Sequence, residues 1–522
     1  MTRVADQIGI PLEPTAQRWG DARDAGGTGL AVIVGDQKQL FLDDDFIIES
    51  AVHVRRLMHQ PQKHPDNPLI RAEKPWELGH FGINGGTVML DEGVFRMWYR
   101  TSWDASCSDA PMAYATSTDG IRWEKPSLGK VEFEGSTDNN LILPAIFHED
   151  WACHGAKVIK DPPDREQDPA RRYKIMIFAV RPGSGKPLRE IDPAVDPARW
   201  GFFVAFSPDG LDWTLHPEPV ILDYKNHYGG YNSVFFDSML GKYVAYMQRR
   251  PELYFEAPRY PVNRRFVSRM ESADFINWTD PNYRAFGPDE QDPPGCDLFE
   301  PEPFQYEQAG YAYVNIALWL DLYRDQCGTR LATSRDNLMW HWAGDRQPFI
   351  PHGPPGSWDA KMIHPPFMPA LVKDDQILIY YSANGTAGMA EGKTSQVPRR
   401  RDVGLATLRL DGFISLEAGV AWGHVTTWPI VFKGTKLALN VNAKRILDPA
   451  TRDYGVRVEI TDPMNQVLPG YSYRDCDPIR EDNVRCPVTW KGNPDVGHLA
   501  GKPIKLRFYM SFASLYAFQF QS

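Results

Sequence analysis

From residue 85 onward the chain alternates apolar and polar positions in short runs, such as GGTVMLDEGVFRMWYR (85–100), NSVFFDSMLGKYVAYMQRR (232–250) and PPFMPALVKDDQILIYYSAN (365–384). A period of two is the signature of a strand, and the Gly, Pro, Asp and Asn between the runs are turn formers. One phrase punctuates the pattern: ATSTDGIRW at 115–123 and AFSPDGLDW at 205–213, with echoes in MESADFINW at 270–278 and ATSRDNLMW at 332–340. In Ser-x-Asp-Gly the Asp bonds nearby backbone and the Gly takes a positive φ, while the following Trp, on the next strand, packs back over the turn. Each phrase therefore reads as a β-hairpin corner, and Asp119 as a turn residue.

Upstream of each corner lies a further strand–turn–strand pattern, so every unit holds four strands. A fifth unit, from 365, ends in the degraded corner around Asp411-Gly412. Four-strand units recurring at roughly 60–90 residues indicate propeller blades. Two packed sheets with similar turns are the competing arrangement, and the five-fold recurrence favours blades. The expected fold is all-β, a five-bladed β-propeller over 78–420. Residues 1–77 form a leader in which QLFLDDDFIIES (39–50) pairs near the ring closure or packs on the outer face. From about 425 the alternation continues without the corner phrase, which predicts a C-terminal β-sandwich over 425–522, with the large residues of FYMSFASLYAFQF in its core.

Composition narrows the function. Net charge is −10, and the single basic run, PRRRD at 398–402, reads as a solvated loop, so neither nucleic acid nor an anionic membrane is an expected partner. No stretch approaches the ~20 apolar residues of a membrane span. The N-terminal residues lack the apolar run of a signal peptide, which places the chain in the cytoplasm, or outside it where a leader has already been cleaved. Sixteen Trp and 22 Tyr suit sheet packing or a sugar-binding surface. Six scattered Cys form no CxxC or zinc spacing. Cys476 and Cys486 sit at hairpin distance, and free thiols are expected in a reducing compartment.

The first strand of each blade lines the channel, so the residues before and inside those strands are the site candidates. They are His80 and Asn84, then Asp150 and His154, then His227 and Asn232, then Glu300 and Glu302 with Asp297 beside them, and finally Asp359, Lys361 and His364. Arg100, Arg249, Arg250 and Trp319, at second-strand ends, are candidates for holding a hydroxyl pair or a sugar face. Paired carboxylates suit glycoside hydrolysis, in which one protonated acid and one ionised carboxylate act together. Glu300 is the expected general acid, its pKa raised by Asp297 or Glu302, and Asp150, Asp359 and Glu302 are candidates for the second carboxylate. The channel histidines also permit a metal-dependent lyase or isomerase with a divalent ion near the axis. A propeller that only binds sugar is a third reading. The hydrolase reading calls for no cofactor and for a small glycoside or oligosaccharide partner. Oligomeric state stays open.

With its five blades, trailing sandwich and Tyr-Ala-x-Ser-x-Asp-Gly-x-x-Trp corner, the chain resembles the five-bladed propeller glycoside hydrolases, families 32, 43, 68 and 130, with the domain order most like family 32. The resemblance implies hydrolysis or transfer at a sugar bond, often a furanoside, by acidic residues at the channel mouth. Where family 32 carries its nucleophilic Asp, HFGING has Asn84, and the nearest counterpart of the family's Glu-Cys motif is FEPEP. The resemblance to family 130 implies a phosphorolytic alternative in which Arg249, Arg250 and Lys361 receive phosphate.

Overall fold

The computed structural model describes residues 31–42, 46–79, 81–101, 111–143, 154–165, 168–180, 200–222, 228–249, 265–279, 284–293, 295–307, 312–321, 326–386, 388, 399–444 and 454–522. Their regular structure is strand, with a few single 3-10 turns. Among them no helix is long and apolar enough to cross a membrane.

Five antiparallel meanders follow one another. The first comprises Gly86–Asp91, Val94–Arg100, Met112–Ser117 and Leu141–Leu143, and the second His154–Lys160, Tyr173–Val180, Trp200–Ser207 and Thr214–Leu215. The third runs through Tyr228–Asp237, Lys242–Arg249, Phe266–Ser272 and Arg284–Phe286. In the fourth the first strand is interrupted, as Cys296–Glu300 and Pro303–Gln305, and is followed by Tyr313–Asp321, Gln326–Ser334 and His341–Trp342. Pro301 and Pro303 cause the interruption, because neither has an N–H to give the ladder. The fifth comprises Met362–Lys373, Gln376–Asn384 and Asp402–Arg409, and its outer strand comes from far upstream, Gln62–Lys63.

Alternation explains how these sheets stack. On Tyr173–Val180, Ile175 and Ile177 face the first meander with Trp98 and Val158, whereas Met176 faces the third with Tyr243 and Met247. Both faces of a central strand are thus apolar. Similar layers join the third to the fourth through Tyr246, Leu298 and Trp340, and the fourth to the fifth through Ile316, Leu331 and Ile379. The fifth returns to the first through Phe367, Tyr380, Val88 and Met97. Each such side chain contributes about 1.5–3 kcal/mol by burial.

All four complete corner phrases have one geometry. Ser117 Oγ accepts from Gly120 N at 2.8 Å, and Asp119 Oδ1 accepts from Ile121 N and Arg122 N, both at 2.8 Å. Ser207/Asp209, Ser272/Asp274 and Ser334/Asp336 repeat these bonds. The fourth residue has positive φ in every copy: 79° and 80° at Gly120 and Gly210, and 69° and 59° at Phe275 and Asn337. Its carbonyl is also a fastening point for the preceding meander. Trp98 Nε1 donates to Gly210 O at 2.7 Å, Tyr246 OH to Asn337 O at 2.6 Å, and Tyr380 OH to Gly120 O at 2.7 Å. The corners are therefore structural joints.

Bonds from the backbone N–H groups of Arg122 and Ile121 hold the Asp119 carboxyl down to about 2. At Asp274 the N–H groups of Asn277 and Ile276 outweigh partial burial and also hold it to about 2. A depressed folded-state pKa adds stability above the unfolded value, and that stability is lost as pH falls through the folded value. The melting temperature should therefore drop between pH about 4 and about 2. An Asp119→Ala/Asp274→Ala protein should melt lower at neutral pH and lose less across that window; equal slopes for the two proteins would contradict this account.

A second joint repeats between neighbouring meanders. The Asp that closes a first strand binds the Tyr that opens the second strand of the next meander. Tyr173 OH donates to Asp91, Tyr243 OH to Asp161 at 2.7 Å, and Tyr313 OH to Asp237 at 2.9 Å.

Beyond the meanders lie a parallel pair, Val32–Gly35 with Ile430–Phe432, and two larger sheets. One joins Asp482–Pro487, Lys436–Asn442, Ala513–Gln521, Ile414–Ala418 and Val54–Met58, with Gln39–Leu40 on Ala513–Gln521. The other joins Ile48–Val52, Gly423–Thr427, Lys505–Ser511 and Gly455–Thr461. They enclose one apolar core that includes Phe41, Leu439, Val458, Phe508, Leu515 and Phe518. Within the segment expected near the ring closure or on the outer face, Gln39–Leu40 and Ile48–Val52 pair into these sheets, and Phe41, Ile47 and Ile48 are buried in their core. The Gly412 corner likewise leads into this layer through Ile414–Ala418. Cys296, Cys327, Cys476 and Cys486 are buried free thiols.

Candidate active site

The first strands of the meanders converge. Val158 N donates to Thr87 Oγ1 at 2.9 Å, Lys157 Nζ reaches Gly86 O at 3.2 Å, and Met368 bridges Thr87 in parallel. Into this junction project the two carboxylates of FEPEP. Pro301 separates Glu300 from Glu302, and Glu302 N donates to Asn315 Oδ1 at 2.9 Å, which fixes the break in the strand. Glu300 is 5% exposed and Glu302 fully buried. Lys157 Nζ, from the second meander, lies 2.5 Å from Glu302 Oε1. His364 Nδ1, from the fifth, lies 3.7 Å from Glu300 Oε2, beyond hydrogen-bond length.

Their surroundings drive the two carboxyls apart. At Glu300 burial opposes ionisation, but the His364 ring, Lys157 and Arg100 outweigh it and hold the group below the ordinary carboxylate range. At Glu302 burial is the leading effect; Lys157 offsets part of it, the charge on Glu300 adds to it, and the balance lies above the ordinary range. Burial, assisted by Arg401, holds His364 down to about 3, so the imidazole is neutral at pH 7. This ordering reverses the expected one, in which Glu300 carried the raised pKa. Asp297, the expected like-charge neighbour, is instead paired with Arg265, whose backbone N and Nη1 each reach it at 2.7 Å and whose charge offsets its own.

Around the pair stand buried polar atoms without a hydrogen-bond partner among the described residues: Asn84 Nδ2, both amide atoms of Asn232, Gln248 Oε1, Ser268 Oγ and Ser382 Oγ. Gln248 Nε2 donates to Phe299 O, next to Glu300. Ser382 lies opposite His364, between the partners of Ile363 and Pro366. Buried polar atoms in a native fold are almost always paired, so such a set marks space for water or a polar ligand.

Asp359 and Trp319, also predicted for the site, are engaged in other contacts. Asp359 is buried in a clasp with Lys63, Ser357 Oγ at 2.8 Å and Tyr381 OH at 3.4 Å. Trp319 packs between meanders, with Arg330 4.0 Å and Trp342 5.3 Å from its ring. Arg249 lies over Phe266 at 5.5 Å, and Lys361 is exposed at its strand's start. His154 begins the second meander, its backbone paired with Phe178. His80, Asp150, His227 and Arg250 lie outside the described residues. Among the described residues no three His, Cys, Asp or Glu side chains group as metal ligands.

Two cations escaped the sequence reading. Lys157 sits in GAKVIK, and its only signal was a charge at the middle of a first strand. Arg401 belongs to the run expected to be a solvated loop. Instead Arg399 and Arg401 are 6% and 1% exposed, and the Arg401 guanidinium lies 4.9 Å from the Phe81 ring. Alternation into the strand Asp402–Arg409 turns 399 and 401 inward and leaves Arg400 exposed.

No family model matches the chain. Two proteins of Mycobacterium tuberculosis, from strains CDC 1551 and H37Rv and both described as uncharacterized, are 24% identical to it over 160 residues, 28% of this chain and 45% of theirs. The chain thus spans less than half the length of these curated relatives. Among solved structures it is similar to a β-1,2-mannobiose phosphorylase from Listeria innocua, at 12% identity and a TM-score of 0.41 over 67% of this chain and 97% of that one. It is also similar to a β-fructofuranosidase of Bombyx mori, at 10% identity and a TM-score of 0.39 over 89% of this chain and 94% of that one.

Proposed function

We propose that the five meanders form a five-bladed propeller, that the two C-terminal sheets form a β-sandwich, and that the chain is a carbohydrate-active enzyme. It cleaves or transfers the glycosidic bond of a small glycoside at the axis, without an added cofactor. One observation carries the reading: two buried carboxyls two residues apart, in surroundings that push Glu300 below and Glu302 above the ordinary carboxylate range. Acid–base catalysis at a sugar bond needs such a division between two carboxyls. Glu302 supplies the proton to the leaving oxygen, and Glu300 is the anionic partner. Asn84, Asn232 and Gln248 offer amide groups to hydroxyls, the match expected for a neutral polyol. A furanoside is the substrate class the sequence resemblance favours.

Turnover should rise as Glu300 ionises at acid pH and fall only when Glu302 loses its proton, above the ordinary carboxylate range. The expected kcat/KM profile over nitrophenyl glycosides and fructans is a bell whose upper limb extends past neutral pH. An upper limb near pH ~4.5, the value of an ordinary carboxyl, would remove Glu302 as the acid.

Lys157, Arg100 and Arg401 favour a second reading, phosphorolysis, because they bring three cations to the group formed by Glu300, Glu302 and His364. Here inorganic phosphate replaces water as the acceptor. Release of a sugar 1-phosphate only when phosphate is present would decide for it.

A further inference from the structure

A cleft of about 520 Å³ lies far from the axis, between the outermost strands of the third and fourth meanders. Its size falls within the roughly 300–1,000 Å³ of ligand sites. Three strand spacings separate it from the first strands, about 14 Å. Its aromatic lining is Trp342, backed by the buried rings of Phe286, with centroids 4.5 Å apart, and Trp340. Trp342 is half-buried, and its indole Nε1 is buried without a hydrogen-bond partner among the described residues. Asp289, Gln291, His341 and Asp345 give the lining its polar groups.

The backbone of this cleft is strained. Gly344, Asp345 and Arg346 lie in succession at φ 61°, 52° and 61°, a left-handed turn with two side-chain-bearing residues. That conformation costs energy in L-residues and persists only where surrounding contacts enforce it. Arg346 has such contacts, with Nη2 2.6 Å from Asp289 and Nη1 2.8 Å from Asp292. Asp345 is exposed at the cleft rim, and a turn that served packing alone would gain by glycine there.

We propose that this cleft is a second, non-catalytic site that binds a neutral saccharide. The C–H face of a sugar ring packs on the accessible part of the Trp342 indole, and its hydroxyls bond Asp345, Gln291 and His341. Arg346 and Arg330, whose Nη1 lies 3.0 Å from Asp292, together balance Asp289 and Asp292, which leaves little of their charge to recruit an ion. The inference does not rest on chemistry at Glu300, and it gives the protein a means of holding a glycan chain away from the axis.

The test uses the full chain carrying Glu300→Gln and saturation-transfer NMR with short xylo-, manno-, cello- and fructo-oligosaccharides. At least one series should bind, with affinity lowered roughly tenfold or more by Trp342→Ala and by Asp345→Gly. Asp345→Gly should at the same time raise the melting temperature, which separates lost binding from lost fold. Both substitutions, made in the wild-type protein, should leave turnover of a small glycoside unchanged. Saccharide binding indifferent to both substitutions, absence of binding, or preference for an organic cation such as choline would each overturn the proposal. Failure of the axial reading would appear instead as retained turnover in Glu300→Gln.

Discussion

Glu300→Gln should lower kcat by about 10³-fold or more while the protein still folds, the size of effect expected when one member of an acid–base pair is lost. Gln has the shape of Glu and keeps an amide oxygen facing His364, so packing around the junction survives. What disappears is the negative charge. Glu300 is held ionised by the His364 ring, Lys157 and Arg100, and in the proposed reaction that charge faces the positive charge developing on the sugar. The charge also helps to keep the proton on Glu302, so its loss should shift the upper limb of the pH profile downward. Two defects in one residue explain why Glu300→Gln and Glu302→Gln should each be nearly as inactive as the double variant, the non-additivity expected of groups acting as a unit. Single-turnover assays with melting curves on the three variants measure this. A Glu300→Gln rate within tenfold of wild type would remove the residue from the chemistry.

The sequence made some of this legible because its cues are local. Ser117, Asp119 and Gly120 form a turn from their own side chains and backbone, so the corner could be read and then used to count toward the first strands. That count reached Glu300, Glu302 and His364. Their protonation could not be read the same way, since it depends on groups from other meanders. Lys157, Arg100 and Arg401 lie at least 100 residues from Glu300 along the chain and become its neighbours only when the sheets stack. Asp297, close in sequence, was the natural candidate for a like-charge neighbour, yet Arg265 neutralises it. Residues 39–50 and 62–63 were harder for a similar reason. A two-residue strand such as Gln62–Lys63 has no period to detect, and an alternating strand does not name the sheet it will join.

The Asp–Tyr joints were overlooked although their spacing repeats, and they should carry the largest stability effect in the fold. Asp237→Ala is expected to destabilise the protein by about 3–5 kcal/mol, the range for breaking a buried, hydrogen-bonded charge. Asp237 is fully buried. One carboxylate oxygen accepts from Met239 N at 2.9 Å and Leu240 N at 3.1 Å, closing its own turn. The other accepts from Tyr313 OH and Asn337 Nδ2, both at 2.9 Å, and so ties the third meander to the second strand and to the corner of the fourth. Alanine leaves four donors unmatched in a site without room for solvent, whereas Tyr313→Phe removes one donor and should cost about 1–2 kcal/mol. Denaturant unfolding of Asp237→Ala, Tyr313→Phe and the double variant should give a coupling of about 1–3 kcal/mol, because the two residues share a bond. An Asp237→Ala loss below about 1 kcal/mol would mean that the stacked apolar layers alone hold the meanders together. Turnover of the folded fraction should be preserved, since the joint closes the end of the first strand away from Asn232 and lies outside the Glu300–Glu302 pair. The same strand thus has two separable duties, with cohesion placed at its Asp237 end and, in the proposed reaction, a hydroxyl-binding amide at Asn232.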